Sequence, residues 1–202
     1  MDPVILFFGL GVAAGLLRSE LRLPPAIYDL LSTLLLLTIG LKGGVELAQQ
    51  SFATVLPQVV AVLIMGFTLP LLLYPAIRRL GRLGRPDAAS LAAHYGSVSV
   101  ATYAVGISYL AGRQVFVDAQ LPLFLVLLEV PAIVVGIILA RKNDANLAWG
   151  KVAHEAFLGK SIVLLVGGLL IGWISGPVAL APLEPLFFDL FKGVLALFLL
   201  EM

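Results

Sequence analysis

The sequence predicts an all-α polytopic membrane protein, and three observations carry that prediction. Of its 202 residues 60% are hydrophobic and only 12% are charged, whereas a soluble domain has roughly 25% charged and 45–50% apolar residues. The apolar residues fall in runs near the length of about 20 that a bilayer-crossing helix needs. Lys and Arg concentrate in alternate loops between those runs. A single soluble core could not hide that much apolar surface from water. The absence of cysteine excludes disulfide frameworks and cysteine-based metal sites, and a net charge of +1 gives no basis for nucleic-acid binding.

Residues 3–17 form the first span, with Gly9, Gly11 and Gly15 permitting close helix contact. Met1-Asp2-Pro3 lacks the basic region of a signal peptide, so this run is read as a retained span. A charged loop, Arg18-Ser19-Glu20-Leu21-Arg22, leads to Pro24-Pro25 and a second run at 27–41. That run is expected to stop at Gly40-Leu41-Lys42-Gly43-Gly44, where glycine would cap the helix and let the chain turn. The third run, 52–74, contains Pro57 and Pro70, each of which removes a helical hydrogen bond and so predicts a bend. The most basic loop spans 78–85. A fourth span follows at 88–110 and a fifth at 119–140, around Glu129-Val130-Pro131. Residues 141–156 read as a polar cytoplasmic loop. The sixth span is 157–174, and the seventh begins near Pro185 and continues to Met202.

Loop charges give an orientation. Arg18, Arg22, Arg78, Arg79, Arg82, Arg85, Arg141, Lys142, Lys151 and Lys160 follow spans one, three and five; only Lys42 and Arg113 fall on the other side. The positive-inside rule then puts the N-terminus outside the cytoplasm.

An internal repeat is visible. The run from Pro25-Ala26-Ile27-Tyr28-Asp29-Leu30 resembles the run from Pro185-Leu186-Phe187-Phe188-Asp189-Leu190, and Gly11…Gly15 resembles Gly168…Gly172. Five spans separate the copies, and an odd number inverts the second copy in the membrane. The expected architecture is a first five-span repeat at 1–140, the loop 141–156, and the first two spans of an inverted second repeat at 157–202. On this reading the sequence is part of a protein of about ten spans, built like many secondary transporters.

The fourth span holds the stretch most in need of explanation: Ala92-Ala93-His94-Tyr95-Gly96-Ser97-Val98-Ser99-Val100-Ala101-Thr102-Tyr103. Polar groups inside a membrane are expensive and by default suggest function. Gly96 can open the helix, and Ser97, Ser99 and Thr102 offer hydroxyls. An opened helix presents N–H groups that suit an anion, while carbonyls and hydroxyls suit Na⁺. The competing reading is that these small residues only let helices approach closely. His94 could relay a proton or simply donate a hydrogen bond to a neighbouring helix. Glu129 lies mid-span, and Pro131 would free the carbonyl one turn back, near Leu127, beside that carboxylate. Glu129 could serve with Ser99 and Thr102 as a Na⁺ ligand, be protonated, or pair with Lys42 or Arg113. No triad, metal-ligand spacing or paired carboxylates argue for an enzyme; His94 and Ser97, at i,i+3, are the only nucleophile–base candidates. A membrane scaffold or sensor, with the cluster joining helix to helix, is the rival to a transporter.

At these residues the sequence resembles the sodium-dependent bicarbonate transporter (SbtA-type) permease family. Pro25-Ala26-Ile27 with Thr38-Ile39-Gly40-Leu41-Lys42-Gly43-Gly44, then Gly96-Ser97-Val98-Ser99-Val100-Ala101-Thr102, Glu129-Val130-Pro131-Ala132 and Leu199-Leu200-Glu201-Met202 are similar to its motifs, in order. The resemblance implies two inverted repeats and Na⁺-driven uptake of bicarbonate across the plasma membrane, with Na⁺ as coupling ion and no cofactor. It implies that Gly96, Ser97, Ser99 and Thr102 line the binding site. Val100 and Ala101 replace a Gly and a Ser of the family run, which leaves a related small anion open as the substrate. The family also implies a homo-oligomer, often a trimer, and regulation by a cytoplasmic PII-like protein.

Overall fold

Helices follow the apolar runs, because a bilayer leaves the backbone no partner but itself. The computed structural model describes residues 3–118, 120–141 and 149–201. Its helices are α1 (Pro3–Leu16), α2 (Pro25–Leu47), α3 (Phe52–Leu80), α4 (Arg85–Gly96), α5 (Val100–Gly112), α6 (Leu121–Arg141), α7 (Trp149–Leu158), α8 (Lys160–Leu180) and α9 (Phe191–Glu201). A 3₁₀ turn (Ala181–Leu183) and a wide π turn (Pro185–Asp189) link α8 to α9. Among the described residues four helices are long and apolar enough to cross a membrane: Pro25–Leu47, Phe52–Leu80, Leu121–Arg141 and Lys160–Leu183. The protein is therefore a multi-pass α-helical membrane protein. Within the expected loop 141–156, residues 142–148 lie outside the described residues, and the part from Trp149 onward forms α7.

Local signals set the helix starts. Pro25 occupies the first helical position of α2, where its missing N–H costs nothing. Ser51 caps α3, its hydroxyl accepting from the Thr54 N–H at 3.3 Å. Asp87 sits in the first turn of α4, where the helix dipole favours an anion.

The second helix corrects an expectation. It does not end at Gly40–Gly44 but runs on to Leu47, with its C-cap at Ala48. Gly40 and Gly44 are four residues apart, share one face, and lie against the backbone of α8. A Cβ at Gly40 would stand 2.6 Å from the Leu165 carbonyl oxygen, and one at Gly44 would overlap that of Leu169. Reciprocally, a Cβ at Gly168 would come within 2.9 Å of the Leu37 carbonyl oxygen, and one at Gly172 would overlap that of Leu41. These glycines bring two backbones together rather than turning one. Contact register rises together along both helices, from Asp29–Lys160 (2.8 Å) to Gly44–Leu169, so α2 and α8 are parallel.

The Asp29–Lys160 pair is exposed. Asp29→Asn is expected to lower stability by no more than about 1 kcal/mol, less at high salt, as read by thermal melts in detergent.

α9 runs antiparallel to α2. Phe191 lies by Lys42, the Phe198 ring stacks on Tyr28 at 4.8 Å, and the Leu23 N–H donates to Glu201 Oε2 at 2.7 Å. α1 packs on α9, where a Cβ at Gly11 would overlap the Leu200 carbonyl oxygen. A second group joins α3, α4 and α6: Gly66 faces Pro131, Gly96 faces Pro70, and Gly136 faces Ala93. α3 continues through Pro57, Pro70 and Pro75, and α6 continues through Pro131. Gly43 against Pro122 is one seam between the groups.

Candidate functional site

The fourth apolar run is two helices, not one. α4 ends at Gly96 and α5 begins at Val100, with extended backbone between them: Ser97 has φ −108°, ψ 169° and Ser99 has φ −66°, ψ 122°. Side chains consolidate both ends. The Ser97 N–H donates to the Ala93 carbonyl at 3.1 Å, and its hydroxyl donates to the His94 carbonyl at 3.3 Å. The Ser99 hydroxyl accepts from the Thr102 N–H at 3.3 Å, an N-cap that starts α5. Ser and Thr favour such caps because they offer the backbone an alternative to helix continuation.

Gly96 fixes where the break lies. It is buried, and a Cβ there would overlap the Pro70 ring and stand 3.3 Å from Ala132 Cβ. The end of α4 is thus wedged between α3 and α6. α5, by contrast, packs on α9, and its Ala101 and Ala104 join the cluster of Leu35, Ile39, Leu195 and Leu199. The break is where the chain crosses from one helix group to the other.

This arrangement offers two kinds of ligand group. The first turn of α5 carries N–H groups that no helical carbonyl can reach, at the positive end of the helix dipole. The last turn of α4 carries carbonyls in the opposite situation. Of the expected residues, Gly96 is buried and Ser97 half-buried, while Ser99 and Thr102 are exposed. Thr102 borders an open apolar recess with Ile5, Phe8 and Leu199.

Glu129 lies one turn before Ala132 on α6, on nearly the same face, so it neighbours the residue that Gly96 touches. Its Oε2 is buried without a hydrogen-bond partner. The pairing with Lys42 or Arg113 does not form: Lys42 stands over Phe188 and Phe191, and Arg113 over Tyr109. Among the described residues no hydrogen bond joins Glu129 to Ser99 or Thr102. His94 is exposed, and its Nδ1 is bonded to the Ser90 carbonyl at 2.8 Å within its own helix. Its relation to Ser97 runs through the backbone carbonyl, not ring to hydroxyl. No group of three or more His, Asp or Glu able to hold a metal converges among the described residues.

Two residues gained importance only in three dimensions. Pro70 holds Gly96, and its sole sequence signal was a proline inside an apolar run. Lys42 was assigned to a turn, but it lies within α2, four residues before Glu46.

No curated protein matches this chain. A protein-family comparison matches residues 3–202 to the Na⁺-dependent bicarbonate transporter superfamily. That match spans nearly the whole sequence, so the chain belongs to the Na⁺-dependent bicarbonate transporter superfamily.

Proposed function

We propose that the chain acts in a Na⁺-coupled symporter for bicarbonate or a related small anion, and that the α4–α5 break supplies part of its binding site. The observation that carries this reading is the interrupted helix itself. A scaffold that only joins helices would keep α4 and α5 continuous, since breaking a helix in a bilayer exposes backbone groups at a cost of several kcal/mol each. N–H groups of α5 bind the anion. Glu129 with the Ser99 and Thr102 hydroxyls supplies hard oxygen ligands of the sort Na⁺ prefers, reaching the ion as the bundle closes on its cargo.

Helix contacts support the inverted-repeat reading. In the register that matches Pro25 to Pro185, Gly40 corresponds to Leu200; in the glycine match, Gly11 corresponds to Gly168. A Cβ at Gly11 would lie 3.3 Å from Leu200 Cα, and a Cβ at Gly168 would lie 3.2 Å from Gly40 Cα. The two contacts are the same contact in the two copies. Matched second spans, α2 and α9, also run in opposite directions, as inversion requires. Loop charges favour an orientation with the N-terminus outside, and the family favours a plasma or inner membrane placement.

Ser99→Ala or Thr102→Ala in the full-length protein is expected to weaken Na⁺-driven uptake of labelled bicarbonate into liposomes severalfold, by about 1 kcal/mol each. Membrane insertion should be unaffected. Unchanged Na⁺-dependent uptake in both variants would remove these hydroxyls from the site.

A further inference from the structure

A second space, apart from the helix break, is lined by charge. Between α2, α5, the start of α6 and α9 lies a cavity of about 110 Å³. Its polar lining is Lys42 and Glu46 from α2, Tyr103 from α5 and Asp118 before α6, with Phe191 on one side. Lys42 and Glu46 are four residues apart and so project from the same face of α2. Tyr103 directly follows Thr102, so the cavity begins one residue beyond the expected site.

Lys42 is held but not consumed. Its ammonium lies 5.0 Å from the Phe191 ring centroid and 5.4 Å from that of Phe188, within cation–π range. Glu46 and Asp189 act on it electrostatically, yet among the described residues it forms no ion pair and donates no hydrogen bond. Three N–H donors therefore remain for a ligand. The cavity has room for a small anion, and Glu46 and Asp118 stand at its exposed side.

We propose that this cavity is a second subsite for a small monovalent oxyanion that carries one proton, an assignment that rests on the transporter reading above. Lys42 and the Tyr103 hydroxyl donate to the bare oxygens of the anion, and the Glu46 carboxylate accepts from its O–H. An anion of the same shape without that proton, such as nitrate, turns a lone pair toward Glu46 or Asp118 and is rejected. The Glu46 and Asp118 carboxylates thus select for the proton, while Lys42 supplies the attraction.

The test uses full-length protein in liposomes under a Na⁺ gradient, with labelled bicarbonate. Lys42→Gln should raise the apparent KM about tenfold, with the maximal rate changed less than about twofold, and Lys42→Arg should recover most of the loss. Glu46→Gln should let nitrate compete at about one-fifth of the concentration needed against the wild type or lower. An unchanged KM in a monodisperse Lys42→Gln protein, or unchanged nitrate competition in Glu46→Gln, overturns the subsite. A separate binding measurement distinguishes this failure from failure of the transporter reading. Bicarbonate should raise the melting temperature of the wild type, and Lys42→Gln should reduce that shift to the part the helix-break site supplies. A shift undiminished in the variant overturns the subsite even if uptake is seen; a diminished shift without uptake retains it and overturns only the coupling. No shift and no uptake in the wild type overturn both.

Discussion

Glu129→Gln is expected to lower Na⁺-driven bicarbonate uptake more than tenfold, about 2 kcal/mol of lost stabilisation for a charged ligand group. The Na⁺ concentration for half-maximal uptake should rise with it. The substitution keeps the shape of the side chain and removes a charge from α6, where Oε2 is buried without a partner. A carboxylate in mid-membrane costs stability unless an ion or a proton compensates it. Glutamine should therefore leave the protein as stable as before, or more so, when melted without Na⁺. If Glu129 holds the ion, stability and transport move in opposite directions. Uptake with an unaltered Na⁺ dependence would show that the carboxylate has no part in coupling.

Gly44→Ala should have the largest effect on folding. A methyl group there overlaps the Leu169 carbonyl oxygen, and Trp173 N lies 2.7 Å away. Both atoms are backbone of α8, so neither can rotate aside; the two helices must separate along their length. Overpacking costs about 1–3 kcal/mol in general, and the rigid obstacle here places the loss at the upper end. Alanine is the better helix former by about 1 kcal/mol, so propensity alone predicts the opposite sign. Gly167→Ala is the control: it lies on the same α8, with nothing within 4 Å of an added Cβ. Melting temperatures should fall for Gly44→Ala and hold or rise for Gly167→Ala. Equal responses would mean that the α2–α8 crossing is looser than described.

The sequence alone determined the class and much of the path of the chain. Composition and run length required membrane helices, because apolar area of that extent has no other refuge. The small-residue stretch pointed to Gly96 as a place where the helix could open, and α4 ends there, although the run read as a single span. The same cues misled at Gly40–Gly44. Glycine reads as a terminator in water, where an opened backbone finds solvent; in lipid, with α8 alongside, it serves as a contact surface and the helix continues. Which meaning applies depends on a partner 128 residues later, Gly168 against Gly40, and local pattern does not reveal it. Only the tertiary structure put Pro70 and Ala132 on Gly96, buried the Glu129 oxygen without a partner, and brought Lys42 under two rings. Those are contacts between distant segments, chosen by packing in a medium that gives helices no hydrophobic reason to prefer one another. Chemistry-bearing residue types were legible one by one; their meeting points were not, because close-packed small residues at the crossings decide them.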